Sequence, residues 1–311
     1  MTAVSKLPNV PKELLRVPGG VNLNVSLCAL ALGLLTVSTC GYWLWDWRSW
    51  CCFWINVVAI HLAGSVIHDA CHLAAHRNRI INATLGHISA LILGFAFPVF
   101  TRVHLQHHAH VNDPDHDPDH FVSTGGPLWL IAPRFFYHEV FFFKRRLWRR
   151  YELLEWFLSR LFLFAIVYSS LRYGFFPFIV NYWFSPALVV GIALGLFFDY
   201  FPHRPFAARD RWHNARVYAS PILNLLILGQ NYHLIHHLWP SIPWYRYQAA
   251  YRITQPLLEA KGSPLSLGIL QDGANLRGFL YDLCIGIRWR HTAPSEPLQP
   301  DLPAPESATL T

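Results

Sequence analysis

Charge is what this sequence has least of. Only 14% of its 311 residues are Asp, Glu, Lys or Arg, while 53% are hydrophobic and 15% aromatic. A soluble domain carries about a quarter charged residues, so an integral membrane protein is the reading that fits. The six cysteines, Cys28, Cys40, Cys51, Cys52, Cys71 and Cys284, contain no Cys-x-x-Cys pair. That excludes a zinc ribbon or dithiol motif and leaves small buried hydrophobes. There is no G-x-G-x-x-G fingerprint and no haem or flavin motif, so any electrons the protein uses come from another molecule. No module for nucleic acid accompanies the formal charge of +7. An internal repeat and a second domain are also lacking.

Histidine is what the chain has instead, 18 in all. His68 and His72 stand at i and i+4; His104, His107 and His108 at i, i+3 and i+4; His233, His236 and His237 repeat that spacing. Residues three and four apart share one face of a helix, so each cluster aims its imidazoles at one point. Eight imidazoles on three converging faces predict a site with more than one metal. Asp199 and His203, again at i and i+4, close an apolar stretch. Ionisable groups there are costly unless they are paired or functional. His203 is therefore the ninth ligand candidate, and Asp199 a supporting or water-mediated one. Asp69 and Asn231 are further candidates for supporting contacts. The acidic loop from Asn112 to His120 offers two readings, carboxylates bonded to ligand histidines or a solvated Asp-Pro turn.

Nine imidazoles exceed the four that a zinc ion takes, and two metals with four or five nitrogens each would use them all. Imidazole suits iron, copper, zinc and nickel, so the count does not choose the element. The Glu and Glu-x-x-His pattern of soluble di-iron bundles is absent.

The expected fold is all-α, with about four transmembrane helices in two hairpins plus interfacial helices. Residues 25–45, 50–67, 153–171 and 175–201 are each long and apolar enough to cross about 30 Å of hydrocarbon. Trp43, Trp45, Trp47, Trp50 and Trp54 crowd the first turn as an interfacial belt. Residues 80–100 are equally apolar but lie between histidine clusters. A full crossing would put those clusters on opposite faces, so this stretch must lie in the interface or dip in and return, eased by Gly86, Gly94 and Pro98. Residues 135–150 suit an amphipathic interfacial helix, and 251–260 and 279–289 read as surface helices. Gly191 and Gly195 have a close-packing spacing. Three regions result: a polar N-terminal segment (1–22, with no cleavable signal expected), a membrane domain (23–290) and a disordered tail (291–311). Two basic blocks, Lys144, Arg145, Arg146, Arg149 and Arg150, then Arg204, Arg209, Arg211 and Arg216, fall on the clusters' side. The positive-inside rule makes that side cytoplasmic.

The three histidine boxes, in this order and at these separations, resemble those of the membrane fatty acid desaturase and hydroxylase superfamily. The resemblance runs from about residue 50 to 287. Within it, Phe-Pro-Val-Phe-Thr-Arg-Val-His-Leu-Gln-His-His-Ala-His-Val-Asn-Asp-Pro (97–114) is most similar to cyanobacterial-type β-carotene hydroxylases. So are Phe-Phe-Asp-Tyr-Phe-Pro-His-Arg-Pro-Phe (197–206) and Gln-Asn-Tyr-His-Leu-Ile-His-His-Leu-Trp-Pro-Ser-Ile-Pro-Trp-Tyr (230–245). The resemblance implies two non-haem iron ions held by the nine histidines, O2 as co-substrate and an external reductant of the ferredoxin type. It also implies a lipid-soluble carotenoid substrate and a cyanobacterial plasma or thylakoid membrane. The reaction implied is hydroxylation of β-ionone rings at C3 and C3′, giving β-cryptoxanthin and then zeaxanthin. A carotenoid ketolase or fatty acyl desaturase could share the boxes. A histidine-rich metal transporter, from a different class, would place its ligands near the bilayer midplane instead. Phe95, Phe97, Trp239 and Trp244 are candidate walls for a substrate pocket.

Overall fold

A computed structural model describes residues 10–286. The expected tail, 291–311, and the end of the helix expected at 279–289 lie outside the described residues. Among those described, the chain is helical with no strand, and four helices are long and apolar enough to cross a membrane. They are Leu23–Leu44, Ser49–Cys71, Arg150–Arg172 and Phe176–His203, here the first to fourth spans. Two hairpins follow from the short turns between them, and the chain is an integral membrane protein.

The first span starts where the Asn22 side chain accepts from the Asn24 and Val25 amides, closing donors the helix cannot satisfy itself. Its turn into the second span is lined by exposed tryptophans, Trp43, Trp45 and Trp50 among them. The second span is the most enclosed and is buried almost continuously from Leu62 to Cys71. At its centre of polarity Asp69 accepts from Asn24 Nδ2 (2.8 Å) and from the Trp244 amide (3.1 Å). A buried carboxylate is tolerated only when so bonded. Here it ties the first two spans to the segment after the third histidine box.

Residues 79–110 behave as the cluster positions require. Helices Arg79–Leu93 and Phe97–His110 meet at 98°, and the stretch turns back so that His72 before it and His104 at its end meet in one cluster. Gly94 forms the corner at φ +83°, a left-handed conformation that favours glycine. Its carbonyl accepts from Arg160 on the third span at 3.0 Å.

The fourth span is interrupted by π-helical turns at Val180–Phe184 and Gly195–Tyr200, each followed by a proline, Pro186 or Pro202. Proline has no N–H and crowds the preceding turn, and a wider turn relieves both. Gly191 and Gly195 do mark close packing, against Ala132 and Ile131: a Cβ would come within 2.9 Å and 2.7 Å of those side chains.

Two expectations need correction. Residues 135–150 are not one helix: Tyr137–Lys144 is helical, Arg146 turns at φ +53°, and Arg150 already begins the third span. Nor is the second basic block all surface. Arg204 is buried and donates to the Asn275 carbonyl, while half-buried Arg216 donates to the carbonyls of Ser266, Leu267 and Arg204. These two arginines satisfy loop carbonyls and fasten the C-terminal segments. Residues 13–16, ahead of the first span, are also docked, since Arg246 donates to the carbonyls of Glu13, Leu14 and Arg16.

Gly94→Val tests the bend. It places a branched side chain at φ +83° with its Cβ 2.7 Å from the Trp183 ring, and forcing such a conformation costs about 1–3 kcal/mol before any clash. A clear fall in Tm of the detergent-solubilised protein is expected; an unchanged Tm shows that the corner is not strained.

Candidate metal centre

Every histidine expected at the site reaches one buried place. The second span delivers His68 and ends at His72, its C-terminal cap. The returning half of the bent segment carries His104, His107 and His108. The last turn of the fourth span supplies His203, and the short helix His233–Leu238 the final three.

Two groups of four result. In His68, His72, His104 and His236, and in His107, His203, His233 and His237, one ring nitrogen from each residue lies within 4.8 Å of the others. His108 belongs to neither quartet: its Nε2 is 3.1 Å and 2.8 Å from those of His104 and His236 in the first, and its ring stacks on His237 of the second with centroids 4.4 Å apart. Within each quartet the nitrogens therefore surround a common point, as ligands of one ion must.

The unused nitrogens explain why the rings point this way. His107 Nδ1 donates to Asp117 (2.9 Å), His203 Nδ1 to the Asn214 carbonyl (2.9 Å) and His233 Nδ1 to Gln230 Oε1 (2.9 Å). His236 Nδ1 meets the Tyr247 hydroxyl at 2.8 Å. A neutral imidazole has one N–H, so placing it on Nδ1 leaves a lone pair on Nε2 facing the centre. The Nε2 atoms of His68, His72, His203 and His233 are buried without a hydrogen-bond partner. Buried polar atoms without partners are uncommon in folded proteins. Metal ions at the two quartets satisfy all four at once, so the residues present fit the group.

Electrostatics agree. Burial, then neighbouring imidazoles, push His233, His236 and His237 well below the usual histidine range, holding them neutral, the form that binds metal. Burial also keeps the Tyr247 phenol protonated by raising it well above its ordinary value.

The supporting candidates divide. Asp199 is buried and lines a small recess with His107, Asp117, Asp119 and His203. Asp69 bonds Asn24 and Trp244, and Asn231 donates to the Tyr218 and Ser220 carbonyls, so both hold the surrounding chain rather than a ligand ring. The acidic loop realises both of its readings. Asp117 holds His107, and Asp119 accepts from His138 at 2.7 Å. Asp113 instead turns outward to cap its own loop and meet Arg209. Sequence reasoning missed Gln230, Tyr247 and the Asn214 carbonyl. Gln230 was findable, three residues before His233; nothing in the pattern marks the other two. Two aromatic rings touch the centre: Phe100 stacks on His104 and Phe198 meets His68 edge-on.

A membrane-embedded protein with two histidine quartets at one end of its spans defines a class, and the comparisons place it. The fatty acid desaturase family model matches residues 43–267. The chain belongs to that family, and is an oxidoreductase of the di-iron desaturase and oxygenase superfamily. It is 27% identical over 245 residues to a dihydrorhizobitoxine desaturase of Bradyrhizobium elkanii, covering 65% of this chain and 68% of the relative. Two β-carotene ketolases from Paracoccus strains are 30% identical over 203 residues and 32% over 201, each covering 62% of this chain and 73% of the relative.

Tyr247→Phe removes only the hydroxyl at His236 Nδ1. Loss of such a partner weakens metal binding by about 10–100-fold, to be read by competition with a chelator. Affinity equal to the parent's makes Tyr247 a packing residue only.

Proposed function

We propose that the protein is a membrane di-iron monooxygenase that hydroxylates β-carotene at C3 and C3′ of its β-ionone rings, forming β-cryptoxanthin and then zeaxanthin. The observation that carries this reading is the identity of the residues around the boxes, at 97–114, 197–206 and 230–245. The nine imidazoles would hold the irons, the four unpartnered Nε2 atoms supporting that assignment. With O2 the metal pair supplies an oxidant strong enough for an unactivated C–H bond, beyond any side chain's reach. The balance per ring is one C–H bond, one O2, two electrons and two protons consumed, one hydroxyl and one water formed. The protein's own part is to aim the imidazoles, to keep those of the third box neutral, and to exclude bulk water by burial. A ketolase is the second reading, favoured by the two Paracoccus relatives.

The histidine centre faces the cytoplasm in this proposal, since Lys144, Arg145, Arg146, Arg149, Arg150, Arg209 and Arg211 are exposed on its side. A small acidic ferredoxin docking there would deliver the electrons. Residues 23–290 then act as one catalytic domain.

Two outcomes are expected. Expressed in a host that accumulates β-carotene, the intact chain should yield zeaxanthin and β-cryptoxanthin by pigment chromatography, and His236→Ala should yield neither. Keto-carotenoids appearing instead would select the ketolase. Ferredoxin-driven turnover should fall steeply with added salt, as screened surface attraction does; a flat salt response removes the docking surface.

A further inference from the structure

The second span contains a histidine that the metal centre does not use. His61 lies ten residues before Cys71, where that span ends. At 1.5 Å per residue this is roughly 15 Å along the helix, half of an apolar layer about 30 Å thick. His61 is thus placed at mid-depth, where a polar side chain is expensive unless it has a task. Its Nε2 is 2.9 Å from the carbonyl of Leu226, the last residue of the short helix Pro221–Leu226. One turn further along, Ser65 Oγ reaches the Leu228 carbonyl at 3.5 Å.

Those contacts fix how deep residues 219–230 go. The excursion is closed at its neck, where the Tyr218 amide donates to the Asn231 carbonyl at 2.8 Å and Asn231 Nδ2 to that of Ser220 at 3.1 Å. From that neck, beside the third histidine box, the chain runs to the level of His61 and comes back. Its tip is apolar and uncovered: Ile222, Leu225 and Leu226 are 73%, 71% and 61% exposed. Leucines so exposed are out of place in water but not in hydrocarbon. A helix C-terminus in hydrocarbon must have its open carbonyls satisfied from within the protein. The His61 imidazole does this for Leu226, which gives it the task its depth demands.

We propose that residues 219–230 form a re-entrant arm immersed in the bilayer, whose outer face of Ile222, Leu225 and Leu226 contacts lipid acyl chains and whose tip is latched to the second span by His61. The arm is continuous with Gln230 and His233, so bilayer and third box meet through it. This does not depend on which substrate the enzyme oxidises.

Depth of a spin label tests it in the full chain reconstituted in phospholipid vesicles, after subtracting the signal of the equally treated parent with its native cysteines. Leu225→Cys should relax strongly with dissolved O2 and weakly with a water-soluble nickel chelate, matching Val58→Cys on the exposed face of the second span. Arg211→Cys, on an exposed loop, provides the aqueous reference. A Leu225 label that behaves like the Arg211 label overturns the arm. With the label at Leu225, His61→Leu should raise nickel accessibility and His61→Gln, which keeps a donor, should not. An unchanged label in a folded His61→Leu protein overturns the latch. Should that variant fail to fold, the comparison in the parent background still decides the arm.

Discussion

A neutral imidazole can donate one hydrogen bond and accept one, and nine of them gathered in a dry space cannot satisfy each other. Much of the surrounding structure answers that constraint. Asp117, Gln230, Tyr247 and the Asn214 carbonyl each engage an Nδ1, and together they turn Nε2 atoms inward. The histidines they hold come from segments as far apart in the chain as His107 and His236, so the centre forms only when the bent segment, the end of the fourth span and the third box are all seated. A metal bound there would couple its binding to folding through the same atoms.

The membrane architecture follows from bringing those segments to one level. The second and fourth spans each deliver a histidine at one end, and the bent segment turns back to bring its own to the same place. Gly94 makes the return possible, and Arg160 reaching its carbonyl from the third span keeps that backbone group bonded. Asp69 and Arg246 do similar work nearby, each joining parts of the chain more than 170 residues apart through backbone atoms of the other segment. Polar groups in this molecule are mostly fasteners. That is why Arg204 and Arg216, which read as surface charge in the sequence, turn out to be enclosed.

Family membership and geometry meet at the chemistry but separate at the substrate. Relatives of this chain include desaturases and carotenoid ketolases. A shared centre can serve different C–H bonds because the outcome depends on how the bond is held against it.

The sequence by itself determined the four spans and the identity of the nine histidines. Apolar length and i, i+3, i+4 spacing are local properties, and a local pattern survives translation into structure. Even that residues 80–100 do not simply cross was legible, because clusters on both sides would otherwise be parted by the bilayer; the 98° bend is how the structure meets that demand. What only the tertiary structure decided is how the nine divide: two quartets with His108 touching both. It also decided which groups orient them. Tyr247 and Asn214 lie 11 residues from the histidines they hold, a separation with no periodicity to betray it. Asp69 and Asn231 stand next to ligand candidates in sequence yet bond elsewhere, since neighbouring positions on a helix point in different directions.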